Sequence, residues 1–336
     1  MRRVQQALNE GLHDLMRTHP TVMVIGEDIL DPYGGAFKIT KGLSTQFPDR
    51  VLTTPISEAG IVGLGTGLAL RGYKPIIEIM FGDFVTLIAD QLINQVTKMT
   101  WMYNEDLAFS LVVRTPMGGR RGYGPTHSQT IEKQFFGVPG LCIAAISNSY
   151  SSASILRHAV LGAGKPVLLV ENKLLYSQPE HEAADIEKHF GLRYRCAGSG
   201  FPTVVLESDA PDITLVTYGG MLGLTLEAAM RLRKEEELAC EVVIAHQLSP
   251  IEIDPIADSV KRTRRIVVIE EGVMQWGWGA EVLGQISAIR LEAPPQRVGS
   301  KPTPIPAART LEDAVLPQVD DIIRAAICTV DERFEE

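Results

Sequence analysis

A chain of 336 residues is long enough for two domains, each with its own core. Hydrophobic residues make up 45% and charged residues 22%, the balance of an ordinary soluble α/β protein, and a formal charge of −9 argues against nucleic acid, which is gripped by clustered Lys and Arg. Cys142, Cys196, Cys240 and Cys328 are too scattered for a zinc site or a redox dithiol, no apolar run approaches bilayer length, and no signal-like h-region follows Met1-Arg2-Arg3; a cytoplasmic protein with buried, reduced thiols and no membrane partner is expected.

Up to about residue 17, Val4, Leu8, Leu12 and Leu15 share one helical face. A continuous apolar run at 21–25 reads as a strand covered on both sides and ends at Gly26-Glu27-Asp28. A turn-rich loop, Tyr33-Gly34-Gly35-Ala36-Phe37, and a short helix at 39–47 follow. Next comes the stretch 53–70, in which a lone acid, Glu58, heads a run of glycine, alanine and aliphatic residues. So little side-chain bulk is stable only where another backbone, a subunit or a flat ligand lies against it, which aims the acid at something. Two plainer readings compete. Ser57 can cap a helix with Glu58 in its first turn, and Gly63, Gly65 and Gly67 with Glu78 resemble a dinucleotide fingerprint. The fingerprint fails on spacing, because residue 68 is Leu and Pro55 to Gly60 separates the strand from the glycines.

Strands are predicted at 74–80 and 107–115, on either side of a long helix at 84–103 in which Leu87, Ile88, Leu92, Ile93 and Val96 recur at helical intervals. The following stretch, 116–129, is too glycine-rich and too long for a mere connector, and a loop of this kind at the carboxyl end of a strand usually carries function. It contains His127; an isolated His beside glycines is structural or solvated more often than catalytic, so its case rests on the surrounding loop. A helix at 130–136, strand at 140–146, helix at 151–161 and strand at 166–171 continue a first domain, 1–195. Beyond Tyr176 the chain turns polar, and a second domain, 205–336, alternates strands at 213–218, 241–245 and 265–270 with helices at 224–237, 253–261 and 279–289. A proline-rich crossing at 294–306 leads to a last helix at 311–328. This alternation predicts an α/β fold with two mainly parallel sheets flanked by helices.

Six motifs stand in order along nearly the whole chain: Gly26-Glu27-Asp28, Pro55-Ile56-Ser57-Glu58-Ala59-Gly60, residues 78–84, Gly122-Tyr123-Gly124-Pro125-Thr126-His127-Ser128-Gln129, Glu171-Asn172-Lys173-Leu174-Leu175-Tyr176, and residues 277–281. Together they resemble the β subunit of the thiamine diphosphate-dependent 2-oxoacid dehydrogenases of pyruvate and branched-chain type, a family with transketolase-like pyrimidine-binding and C-terminal domains. The resemblance implies that Glu58 hydrogen-bonds N1′ of the cofactor's aminopyrimidine, so that the ring reaches its imino form and the 4′ nitrogen takes the C2 proton. It implies that Phe84 lies against that ring and that Ile56 and Met80 occupy apolar cofactor-lining positions, although each is also at home in plain core. His127 matches the active-site histidine, moving protons around the carbonyl addition or meeting the incoming lipoyl group.

In this family Mg²⁺ and the diphosphate are held by a Gly-Asp-Gly motif with a downstream Asn, a pattern not found here, so no metal ligands are assigned. The resemblance then implies a separate α subunit holding the diphosphate and Mg²⁺, an α2β2 heterotetramer with sites at the α/β interfaces, and a lipoyl-bearing dihydrolipoyl acyltransferase downstream. Three stretches depart from the family pattern: Asn104-Glu105-Asp106 replaces a glycine turn, His246 stands in place of an Arg, and Leu161-Gly162-Ala163-Gly164 replaces a turn beside a structural K⁺ site, where backbone carbonyls remain as ligands. The function implied is decarboxylation of a small 2-oxoacid with transfer of the acyl group to lipoamide. Carboligation to a carbonyl acceptor, acetoin- or transketolase-like, and a noncatalytic scaffold subunit are the alternatives.

Overall fold

The computed structural model describes residues 2–103, 109–181, 183–190, 192–198 and 200–330. Asn104-Glu105-Asp106 and the first two positions of the strand predicted at 107–115 lie outside the described residues. The first half of the chain runs α1 (Val4–Thr18), β1 (Val22–Gly26), α2 (Leu43–Gln46), β2 (Val51–Thr53), α3 (Glu58–Leu70), β3 (Lys74–Glu78), α4 (Met99–Met102), β4 (Val112–Met117), β5 (Cys142–Ala145), α5 (Ser152–Leu161) and β6 (Val167–Asn172). The second runs α6 (Ala183–Phe190), β7 (Arg193–Ala197), β8 (Thr203–Glu207), β9 (Ile213–Tyr218), α7 (Leu222–Glu235), β10 (Cys240–Ala245), β11 (Gln247–Ser249), α8 (Asp254–Thr263), β12 (Ile266–Val273), α9 (Trp278–Gln285), β13 (Gln296–Ser300), α10 (Arg309–Val315) and α11 (Val319–Ile327).

Among the described residues the strands form two sheets, ordered β11-β5-β6-β4-β3-β1-β2 and β13-β12-β9-β10-β8-β7. In the first, every pairing is parallel except that of β11 with β5; in the second, β8 runs antiparallel to both neighbours. Consecutive strand residues point to opposite faces, and here both faces are dry. Ile77, Val113 and Leu168 join a core shared with Val216 and Val243 of the second sheet and Trp278 of α9, while Ile76, Val112 and Leu169 pack on the other side with Leu8 and Leu12 of α1 and Ile155 of α5. A third core lies beyond the second sheet, where Leu215, Val242 and Ile269 meet Leu226 of α7 and Ile322 of α11.

Several elements differ from their sequence reading. The helix expected at 84–103 is a succession of a 3-10 segment at Gly82–Ile88, a π segment at Gln91–Val96 and α4. Val85, Thr86, Ile88, Ile93, Val96 and Thr97 are β-branched and lose side-chain freedom in a regular α-helix, so packing chooses the local winding. The helix expected at 130–136 is a 3-10 turn, Glu132–Phe135. The last helix is two, because Leu316 precedes Pro317 and takes an extended conformation (φ −81°, ψ 147°). Past Tyr176, where sequence suggests no element, α6 and β7 form, and Tyr194 pairs with Leu206, so the second sheet reaches back to Arg193. Arg193 and Arg195 on this edge strand hide its alternation, a charged edge being a common defence against mispairing. All four cysteines are free thiols, and Cys196 is exposed rather than buried.

His246, between β10 and β11, ties the two halves together. It is fully buried, donates from Nδ1 to the carbonyl of Pro202 (2.6 Å) and accepts at Nε2 from Ser147 (2.8 Å). Burial pushes its pKa down from 6.5 to about 4, against the Pro202 carbonyl, which favours the proton. A folded-state value below the unfolded one means that full stability is present above 6.5 and is lost as pH falls towards 4, by roughly 3 kcal/mol. His246→Gln is therefore expected to lower stability at pH 7 yet flatten that acid slope in urea melts run from pH 7 to 4.5; an unchanged slope would assign the acid lability elsewhere.

Candidate active site

Four adjacent parallel strands in the order β4-β3-β1-β2 deliver the candidate residues at their carboxyl ends, where open α/β sheets bind ligands. Glu27 follows β1, Glu58 follows β2, Met80, Phe81 and Phe84 follow β3, and the glycine-rich loop with His127 follows β4. Three interstrand steps of about 4.8 Å put roughly 14 Å between the two outer strand ends. The site thus has an acidic side and an aromatic side.

On the acidic side, Glu58 is the first residue of α3 and only 8% exposed. Ser57 occupies the cap position, but its side chain makes no capping hydrogen bond; its backbone N–H instead favours the ionised form of the nearby Glu27 carboxylate. Burial, followed by the charge of Glu58, pushes the Glu27 pKa up, and the Ser57 N–H only partly opposes this. Glu27 Oε1 is buried without a hydrogen-bond partner. Two carboxyl groups therefore lie close enough to interact, and their repulsion favours the neutral form of Glu27. The glycines after Glu58 divide by role. A Cβ on Gly65 would lie 2.5 Å from Ile77 Cδ1, so this glycine lets α3 press against β3. At Gly63 and Gly67 an added Cβ meets nothing within 4 Å, and beside them Leu64 and the 84%-exposed Ile56 face outward.

On the aromatic side, the His127 ring stands edge-on to Phe81 at 4.6 Å and to Phe84 at 5.4 Å between centroids, and Phe81 and Phe84 are 6.0 Å apart. Thr126 Oγ1 lies 2.9 Å from His127 Nδ1, and the His127 carbonyl accepts from Lys173 Nζ at 2.8 Å. Lys173 is fully buried, which pushes its pKa down to about 8 despite the nearby charges of Glu271 and Asp83. Asp83, whose carboxyl is pushed up by burial, accepts the Gln129 N–H at 3.3 Å. The loop's path requires glycine at 118, where φ is +95° and a Cβ would fall 2.4 Å from the Asn172 amide.

The structure thus brings Phe84 and His127 into contact and sets Glu58 beside Glu27. Among the described residues Glu58 and His127 share no hydrogen bond or ring contact, Met80 is half-buried, and Ile56 is no part of this chain's core. Sequence reasoning assigned no role to Glu27, Phe81 or Lys173. The signal for Glu27 was present, since a carboxylate directly after an apolar strand sits at the sheet's ligand-binding end. Among the described residues no group of three or more His, Cys, Asp or Glu is arranged to hold a metal, and no helix is long and apolar enough to cross a membrane.

Residues 1–179 match the family model for the transketolase pyrimidine-binding domain, and residues 203–322 that for the transketolase C-terminal domain. The pyruvate dehydrogenase E1 component subunit beta-1, mitochondrial, of Arabidopsis thaliana is 36% identical over 96% of this chain and 88% of its own length. The pyruvate dehydrogenase E1 component subunit beta of Leifsonia xyli is 36% identical over 95% of this chain and 91% of its own. At 32% identity, with 96% of each chain covered, stands the acetoin:2,6-dichlorophenolindophenol oxidoreductase subunit beta of Cupriavidus necator. In fold, the chain is similar to a solved split-gene transketolase, described as an inactive beta4 tetramer, with TM-score 0.74 and 21% identity over 97% of this chain and 98% of that one.

Proposed function

The chain belongs to the β subunits of the thiamine diphosphate-dependent 2-oxoacid dehydrogenases, and from that premise we propose that it forms the pyrimidine-binding half of an enzyme that decarboxylates a 2-oxoacid and passes the acyl group to lipoamide. The observation that carries this reading is the pairing of Glu58 with Glu27 at the ends of β2 and β1. A sheltered carboxyl group beside a second one, with a buried oxygen lacking any partner, fits a ring nitrogen that needs a proton held against it. When bound, thiamine diphosphate supplies a C2 nucleophile for the 2-oxo carbon and an electron sink for the loss of carbon dioxide.

In this reading, Glu58 holds the proton at the aminopyrimidine N1′. Burial and the neighbouring charge of Glu58 push the Glu27 pKa up, which favours the neutral form of Glu27 beside it. Phe84, Met80 and Ile56 supply the apolar wall that excludes water, and Phe81 keeps the His127 ring edge-on at the mouth. His127, half-buried, moves a proton at the substrate oxygen or meets the lipoyl group. The outward face of Ile56, Leu64 and Leu87 beside Gly63 and Gly67 supports a large apolar partner, and we place there an α subunit that holds the diphosphate and Mg²⁺ in an α2β2 assembly. A lipoyl-bearing acyltransferase then takes the product. Any K⁺ at the turn 161–164 would rest on backbone carbonyls, since Leu161, Gly162, Ala163 and Gly164 carry no side-chain oxygen.

A second reading, reaction at a carbonyl compound in place of lipoamide, is favoured by the likeness to the acetoin oxidoreductase subunit. Co-expression with the candidate α chain and assay with short 2-oxoacids separates the two. Acyl-lipoamide as the product is the expected outcome, while a new carbon–carbon bond without acyl-lipoamide would move the assignment to the second reading.

A further inference from the structure

The loop that carries His127 is fastened from the second half of the chain. Glu312, on α10, is 1% exposed, and its carboxylate oxygens accept the backbone N–H groups of Arg120 at 2.7 Å and Gly122 at 3.3 Å. Glu271, on β12, accepts the Gly119 N–H at 2.7 Å, the Thr130 hydroxyl at 3.3 Å and the Asn172 amide at 2.8 Å. The Arg120 guanidinium donates to the Pro317 carbonyl at the break between α10 and α11, and a Cβ on Gly119 would stand 2.6 Å from Leu316 Cδ1. At its far end the loop is held by the bond from Lys173 to the His127 carbonyl.

Glycine-rich backbone is costly to order, and bonds to an ionised acceptor are about twice as strong as neutral ones. Three N–H groups within four residues therefore spend their donors on two buried carboxylates of the other domain. We infer that Glu312 is a positioning residue for His127, holding the loop so that the imidazole stays against Phe81 and Phe84, and that α10 is the strut that carries it. This rests on the role proposed above for His127.

The test compares Glu312→Ala and Glu312→Gln, alone and combined with His127→Ala. On the full chain, trypsin nicking after Arg120 or Arg121, read by mass spectrometry, should accelerate by about tenfold or more in the Ala variant and less in Gln, which keeps one acceptor oxygen. In the complex reconstituted with the α subunit, Glu312→Ala should lower kcat by about tenfold with cofactor affinity unchanged, and should add nothing to the loss caused by His127→Ala. Unchanged nicking overturns the inference, and so does a kcat loss that adds fully to that of His127→Ala. A His127→Ala enzyme with normal turnover instead sinks the role of His127, an outcome distinct from an impaired His127→Ala paired with a normal Glu312→Ala.

Discussion

Glu58→Gln in the reconstituted complex is expected to slow exchange of the cofactor's C2 proton, and turnover with it, by about 10² to 10⁴-fold, or roughly 3–5 kcal/mol of barrier. Gln keeps the size and a hydrogen-bonding oxygen, so the cofactor should still bind; what is lost is a group able to hold and release a proton. The fold should not suffer. Glu58 makes no ion pair among the described residues, and its charge raises the pKa of Glu27, so removing it relieves a like-charge contact and leaves the melting temperature level or slightly higher. A large fall in exchange with unchanged stability separates catalysis from architecture. Normal exchange in the variant would falsify the catalytic assignment and favour a noncatalytic subunit.

The largest effect on stability is expected at Arg114, in the middle of β4. Its guanidinium is 1% exposed, donates to Glu78 on β3 and bonds Glu171 on β6 through Nε at 2.9 Å, and Tyr176 adds a hydroxyl bond to Glu171 at 2.7 Å. Arg114→Met leaves two buried carboxylates without a counter-ion, which costs about 3–5 kcal/mol, a large share of the 5–15 kcal/mol typical of a whole protein. Glu78→Gln should behave differently. One cation serves two carboxylates, and burial, only partly offset by Arg114, pushes the Glu78 pKa up. A folded-state value above the unfolded one means that ionised Glu78 erodes stability as pH rises past 4.5, so Gln should cost little at pH 7 and flatten that trend. Urea titrations of both variants at pH 5 and 7 check this, and equal losses would mean that the two carboxylates share the cation evenly. The consequence reaches the site, because Tyr176 packs on Phe37 (5.2 Å) and Phe37 on Phe81 (5.8 Å), the ring that flanks His127.

Most strands and the amphipathic α1 were legible because burial leaves a periodic trace: Val4, Leu8, Leu12 and Leu15 are all in the core. Glu58 and His127 stood out through their glycine-rich surroundings, which ordinary core segments lack. Other features leave no local trace. The winding of 82–96 is set by what its side chains meet across the fold, and β7 conceals its alternation beneath edge arginines. Glu312 and Glu271 act on loop atoms 141 to 192 positions away in sequence, and a carboxylate bonded to backbone N–H groups has no partner type to match in a one-dimensional reading. Leu316-Pro317 was a readable break that the apolar pattern around it obscured.

The short strand β11 has a consequence for how the molecule comes apart. It leaves β10 of one sheet and at once closes the free edge of the other, pairing Gln247 with Ala144, next to the Ala145–His246 backbone bond. Neither half can swing away without tearing that seam, so heating should produce one calorimetric peak rather than two. A fragment ending before β7 would display β5 as a naked, sticky border, and should either precipitate or be rescued by adding the missing half in trans.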